Sequence, residues 1–183
     1  MQILKPVLLI ILVSLLSSCN GGDNWKMAAK IEESIVTPTF PADTVFITDF
    51  GAVADDTSFL NTGAIEAAIT KCHIGGEGVV YVPAGTWHTG PVTLLSNVNL
   101  HIAENATLAF ATDYALYLPP VLTRWEGMDC YNIHPLIYVK DASNIALTGK
   151  GTIDGQASNE AWWWMNGNTD YGWREGMNNQ VLS

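Results

Sequence analysis

The sequence predicts an all-β solenoid, a parallel β-helix closed at its N-terminal end by a capping helix. Three observations carry this prediction. After Gly78 the chain is a series of apolar runs of about three to five residues, too short for helices and separated by brief turns. The Asn-Gly and Asp-Gly loops that join antiparallel hairpins are absent between those runs, which favours a chain that winds onward. The runs also return. Ser96-Asn97-Val98-Asn99-Leu100 is echoed by Ser143-Asn144-Ile145-Ala146-Leu147, and Ala106-Thr107-Leu108 by Gly151-Thr152-Ile153, at offsets of 45 to 47 residues. Such periods mark solenoids, and this offset reads as two coils of about 22 to 24 residues each.

The elements follow in order. Val45-Phe46-Ile47 is a short apolar strand, and Asp49-Phe50-Gly51-Ala52 a turn. Asn61 or Thr62 is placed to cap a helix whose apolar residues Ile65, Ala68, Ile69 and Cys72 recur at helical spacing, with Gly75-Gly76 ending it. It is the one clear helical pattern, and it suits a plug over the open end of a solenoid, where a bare end would expose core and strand edges. Strands are then expected at Val79 to Val82, Val92 to Leu95, Val98 to Ile102 and Thr107 to Phe110. Three more follow at Leu136 to Val139, Ile145 to Leu147 and Gly151 to Ile153, and a long loop from Asp113 to Cys130 interrupts the coils.

The start of the chain reads as an address. Lys5 precedes an unbroken apolar run from Val7 to Val13, and small residues follow, the pattern of a secretory signal. A membrane-spanning helix needs roughly 20 apolar residues, and this run is shorter. Leu16-Ser17-Ser18-Cys19 resembles the bacterial lipobox, which implies lipidation of Cys19 and an envelope location. Residues 1–18 are therefore expected to be a lipoprotein signal peptide and 19–43 a polar tether without clear periodicity. Eighteen acids against eight Lys and Arg leave a formal charge of −10, which argues against nucleic acid as a partner. Cys72 and Cys130 remain, and a disulfide between them is allowed but not implied. No Cys-x-x-Cys or His-rich spacing suggests a metal site, and no cofactor is expected.

Phe46-Ile47-Thr48-Asp49-Phe50-Gly51-Ala52 and Thr62-Gly63-Ala64-Ile65-Glu66-Ala67-Ala68-Ile69 resemble the opening of pectinase-type β-helices, shared with lyases and phage tailspikes. Gly78-Val79-Val80-Tyr81-Val82-Pro83-Ala84-Gly85-Thr86, Thr89-Gly90-Pro91-Val92 and Leu94-Leu95-Ser96-Asn97-Val98-Asn99-Leu100 narrow the likeness. With Leu122-Thr123-Arg124-Trp125-Glu126-Gly127, Pro135-Leu136-Ile137-Tyr138 and Gly149-Lys150-Gly151-Thr152-Ile153-Asp154-Gly155-Gln156, they are similar to polygalacturonases of glycoside hydrolase family 28. The resemblance covers about residues 44–165 and implies a right-handed, pectin lyase-like solenoid that hydrolyses pectic polysaccharide with inversion. The family usually has a Gly after Asp near Asp55. Here Asp55-Asp56 stands instead, and Asp tolerates the left-handed backbone such a turn uses.

Inverting hydrolysis needs two carboxyl groups about 6.5 to 9.5 Å apart. The resemblance places them in Asn-Thr-Asp and Asp-Asp motifs on coils downstream of Thr152-Ile153-Asp154-Gly155, followed by Gly-His-Gly and Arg-Ile-Lys. Neither of the last two occurs in the chain, so no catalytic residue is expected within 1–183. Residues 44–183 are then the N-terminal part of a hydrolase domain, truncated before the catalytic coils and inactive alone. Asn168-Thr169-Asp170 spells the catalytic tripeptide but sits in a Trp- and Gly-rich stretch without strand alternation. Asp154 reads as a turn residue, Trp162-Trp163-Trp164 as a packed loop, and His73, His88, His101 and His134 as structural. Arg124, Trp125 and Glu126 on the interrupting loop are the substrate-binding candidates: a guanidinium grips a uronate carboxylate with two parallel hydrogen bonds. Alternatively, Arg124 and Glu126 pair with each other. The expected partners are an acidic plant cell-wall polysaccharide, galacturonan or rhamnogalacturonan, and a membrane through the anchor. The full-length protein is expected to be monomeric. The competing readings are a Ca²⁺-dependent lyase of the pectate-lyase type and a non-catalytic carbohydrate-binding or adhesion stalk.

Overall fold

The computed structural model describes residues 22–76 and 78–163. The chain divides into two compact units, Met1–Thr37 and Pro38–Ser183. In the first, helix α1 (Gly22–Ser34) lies where a featureless tether is expected. Its residues from Lys26 to Glu33 contain neither Gly nor Pro and are nearly all good helix formers, so propensity supplies what periodicity did not announce. The expected signal peptide and Cys19 lie outside the described residues.

The second unit is the expected right-handed parallel β-helix. Strand β1 (Thr44–Phe46) leads through a 3-10 turn (Ile47–Phe50) to helix α2 (Thr62–Ile74). Then come β2 (Gly78–Val82), β3 (Gly85–Thr89), β4 (Val92–Thr93), β5 (Val98–Ile102) and β6 (Ala106–Phe110). After a second 3-10 turn (Tyr114–Tyr117) follow β7 (Val121–Trp125), β8 (Met128–Asn132), β9 (Ile137–Tyr138), β10 (Ala146–Gly149) and β11 (Thr152–Asp154). Three parallel sheets form the walls, in the orders β1-β2-β5-β10, β3-β6-β11 and β4-β9. Strand β3 had no place in the periodicity reading. Its alternation is carried by Trp87 and Thr89, both buried.

The register corrects the coil count. Gly78 pairs with Val98 and Gly85 with Ala106, about one short coil apart. Asn99 pairs directly with Ala146 and Thr107 with Thr152. The echo therefore relates adjacent coils, not every second one. Its length comes from an excursion between β6 and β9, and within that excursion the chain does fold back: β7 and β8 form an antiparallel hairpin. The hairpin escapes the Asn-Gly rule because its turn is Glu126-Gly127. Both residues have positive φ, +48° and +87°, as a hairpin turn of the I′ type requires.

The echoed residues have a shared physical role. Asn97 and Asn144 both take left-handed φ at the same corner of successive coils, and Asn144 Nδ2 donates to Asn97 Oδ1 at 3.1 Å. Beside them Ser143 N donates to Ser96 Oγ at 3.1 Å. Gly149 has φ +105°, and a β-carbon there would run into the Ile102 carbonyl of the coil below. Asp55 likewise has φ +59°, so Asp takes the left-handed position as expected. Its carboxylate accepts from Thr86 N at 2.9 Å and its own N–H donates to Thr86 O at 2.7 Å.

Inward side chains of the three walls, among them Val80, Leu100, Trp87, Leu108, Phe110 and Val92, make one core with Ile47 and the buried face of α2. Helix α2 covers the β1, β2, β4 and β5 end through Ile65, Ala68, Ile69 and Cys72, the four residues its spacing named. Full burial of Ile65 and Ile69 is worth about 1.5–3 kcal/mol each. Asn61 is the N-cap residue, yet its side chain makes no cap bond. It turns inward, fully buried: Oδ1 accepts from Val53 N at 2.7 Å, and Nδ2 donates to Val53 O and His88 O at 3.0 Å each. Cys72 and Cys130 are both free thiols.

Candidate functional site

The excursion between β6 and β9 is the largest departure from the coil repeat. Its hairpin is held to the solenoid by Tyr138, whose hydroxyl donates to Leu122 O at 2.7 Å. His134 braces the base. Its Nδ1 lies 2.6 Å from Pro135 O, and because a carbonyl only accepts, that nitrogen carries a proton. In the neutral ring Nε2 then accepts from Thr93 Oγ1 at 3.1 Å, and the ring packs 5.1 Å from Tyr138.

Along the hairpin, Arg124 stands opposite Asp129 and Trp125 opposite Met128. Arg124 Nη2 donates to Gly127 O at 3.0 Å, and Nη1 lies 3.6 Å from the Asp129 carboxylate. The ion pair is thus with Asp129, not Glu126. Both side chains are largely exposed, and such a pair is worth only about 0–1 kcal/mol, so an incoming carboxylate competes readily.

Between this hairpin face and β9 opens a cleft of about 410 Å³, lined by Thr123, Arg124, Asp129, Tyr138 and Lys140 among others. That volume lies within the range of about 300–1,000 Å³ for small-molecule sites. Among the described residues of the second unit the cations are Lys71, Arg124, Lys140 and Lys150, and two of these four meet here. Lys140 Nζ sits 3.3 Å from Asp141, again an exposed pair. The cleft thus brings two cations, Arg124 and Lys140, together with the hydroxyls of Thr123 and Tyr138 and the Asp129 carboxylate. Trp125 and Glu126 do not line the cleft. Trp125 is 64 % exposed beside its cross-strand neighbour Met128, and Glu126 occupies the turn. The structure therefore separates the three candidate residues and adds Lys140, Tyr138 and Thr123. No sequence signal pointed to Lys140 except the scarcity of cations.

Two other clefts suit an anion less well. One of about 490 Å³ lies between the start of α2 and the excursion and contains Glu66 but no Lys or Arg. The other, about 390 Å³, is walled mainly by apolar groups, including Ile133, Leu136 and Trp162. Trp162 Nε1 donates to Gly155 O at 2.8 Å, and the ring meets Tyr117 edge-on at 5.1 Å, a packing role for Trp162, whereas Trp163 is 48 % exposed. Trp164 and Asn168-Thr169-Asp170 lie outside the described residues. Asp154 ends β11 and accepts from Gln156 N at 2.8 Å, a turn residue as expected. His73 Nδ1 lies 2.8 Å from Ser96 O, and His101 Nδ1 2.9 Å from Thr148 Oγ1 on the next coil. Among the described residues no cluster of three His, Cys, Asp or Glu is arranged to hold a metal ion.

No family model matches the chain. A probable polygalacturonase from Vitis vinifera is 30 % identical over 169 residues, 87 % of this chain and 33 % of the relative. An exo-poly-alpha-D-galacturonosidase from Dickeya chrysanthemi is 34 % identical over 127 residues, 65 % of this chain and 20 % of the relative. Among solved structures, a hyperthermoactive exopolygalacturonase from Thermotoga maritima superposes with a TM-score of 0.76 at 41 % identity, covering 85 % of this chain and 34 % of that one. The chain thus spans a third or less of the length of the curated relatives it matches.

Proposed function

We propose that this chain, a polygalacturonase-like β-helix of the glycoside hydrolase family 28 type, contributes the N-terminal coils of an enzyme that hydrolyses pectic polysaccharide with inversion. The observation that carries the reading is the likeness, over most of the chain, to relatives named for cutting galacturonan. The acid and base carboxyls belong to further coils stacked on β10 and β11, where the family's motifs follow the Thr152-Ile153-Asp154-Gly155 segment. One protonates the leaving oxygen and the other activates water from the opposite face, about 6.5–9.5 Å away.

The described coils supply binding, not bond cleavage. Arg124 and Lys140 hold a uronate carboxylate of a galacturonan or rhamnogalacturonan chain at the cleft, with Thr123 offering a hydroxyl to the sugar. Asp129 pre-aligns Arg124 and yields to the ligand. The lipobox-like Leu16-Ser17-Ser18-Cys19 supports lipidation of Cys19 and a location on the bacterial envelope.

The test is incubation with polygalacturonate of the protein made from its whole gene in its own host. Saturated galacturonate products support hydrolysis, unsaturated ends mean a lyase, and no product means a binding stalk. The 183-residue chain alone is expected to release nothing.

A further inference from the structure

We propose that Tyr138 is a positioning residue: its bond to the hairpin sets the gap across which Arg124 and Lys140 close on one carboxylate. The inference rests on the proposed reading of the cleft as a uronate site. Its own observation is how little else holds the hairpin in place. No residue of β7 or β8 is buried, and Leu122, Trp125, Met128 and Tyr131 are all exposed. An isolated two-stranded hairpin is marginal in water, so this one takes its position from its attachments. Among the described residues, the hydrogen bond from Tyr138 to Leu122 O, at 2.7 Å, is the one that joins either strand to a wall strand.

The place of that bond matters. Leu122 and Arg124 are two apart in β7, so they share one face of the strand. Lys140 follows Tyr138 by two residues, and both line the cleft. The tie therefore stands two residues behind each cation, and the distance between Arg124 and Lys140 follows from it. Tyr138 is itself well held. It pairs with Thr93 between β4 and β9, and its ring packs 5.1 Å from His134, whose two nitrogens are engaged by Thr93 Oγ1 and Pro135 O. The solenoid wall thus carries one cation directly and fixes the other through a single hydroxyl.

Carboxylate capture needs such a setting. Arg124 and Lys140 each have an exposed carboxylate neighbour, Asp129 at 3.6 Å and Asp141 at 3.3 Å. Single exposed pairs of this kind bind weakly. A ligand carboxylate outcompetes those neighbours when both cations reach it together, because the second contact is then made within an existing complex. A hairpin free to swing would leave each cation to bind alone.

The test is calorimetric titration of trigalacturonate into the 183-residue chain, with Arg124→Ala, Lys140→Ala, Tyr138→Phe and the double variant Tyr138→Phe/Lys140→Ala. Phenylalanine keeps the ring against His134 and removes only the hydroxyl. Tyr138→Phe should weaken binding about fivefold, the worth of one hydrogen bond, and Lys140→Ala at least as much. In the double variant the loss should match Lys140→Ala alone, because with one cation gone the gap no longer matters. Additive losses mean that Tyr138 touches the sugar or merely supports the fold, and overturn the positioning role. Full affinity in Tyr138→Phe, with both cation variants weakened, overturns it too and leaves the cleft reading standing. Weakening by only one of the two cation variants also overturns it. Unchanged affinity in both, or no binding by the unaltered chain, overturns the cleft reading and this inference together.

Discussion

Replacing Asn61 by Ala tests whether the cap is clasped to the coils as described. The side chain is fully buried and makes three hydrogen bonds, one from Val53 N and two to Val53 O and His88 O. Alanine removes all three. His88 O keeps the bond from Asn61 N at 2.7 Å, so it is not stranded. Val53 is itself exposed, so its freed N–H and C=O add no buried-group penalty. At about 1 kcal/mol net per bond, the three bonds are worth roughly 3 kcal/mol. That is a large fraction of the 5–15 kcal/mol or so of an ordinary domain. Urea unfolding of the chain and its variant, followed by intrinsic fluorescence, reads the difference as a shift in midpoint at constant slope. Asn61→Asp sharpens the test, because an ionised carboxylate would face two carbonyls and should destabilise at least as much at neutral pH. A loss below about 0.5 kcal/mol in Asn61→Ala would refute the clasp, since that is the range of an uninvolved surface position.

Other perturbations follow from the same geometry. Gly149→Ala forces a β-carbon against the Ile102 carbonyl at φ +105°, where backbone strain alone costs about 1–3 kcal/mol; urea midpoints should fall further than for Gly63→Ala, which meets open space. Burial pushes Tyr117 up from 10.0 to about 12. Its contribution is present below pH 10, where both states are protonated, and is lost as pH rises from 10 towards about 12; Tyr117→Phe should remove this dependence from alkaline unfolding curves. On the proposed hydrolase reading, Arg124→Ala in the protein made from its whole gene should raise KM on acidic oligosaccharides about 10- to 100-fold with kcat little changed, and Lys140→Ala should act in the same direction. An unchanged KM in both variants would remove the cleft from the substrate's path.

The parts of the fold that depend on local pattern could be read before the structure. The α2 face is one: Ile65, Ala68, Ile69 and Cys72 recur at a spacing only a helix buries together. Strand β5 is another, because Val98, Leu100 and Ile102 alternate cleanly with half-buried partners. What escaped depends on pairing across distance. The Ser-Asn echo was visible, but whether its two copies touch is a matter of register, and the asparagine contact at the shared corner shows that they do. The hairpin escaped because Glu126 supplies a left-handed φ usually left to Asn, Asp or Gly. Helix α1 escaped because propensity, not a clean apolar period, forms it. At the cleft, Arg124 was legible from its residue type and its place on an interruption of the coils. Lys140 was not, because only the fold of β9 against the hairpin brings it there. Asn61 looked like a helix cap in sequence; only the path of the loop from Val53 reveals its inward role.

The most direct test of the central claim is the stereochemistry of the first product released from polygalacturonate by the protein made from its whole gene. Proton NMR recorded during the first minutes distinguishes the two anomers of the new reducing end before they interconvert. The account predicts a saturated sugar with inverted anomeric configuration, as a carboxyl pair spaced to admit water requires. A retained configuration, or an unsaturated end, would contradict it.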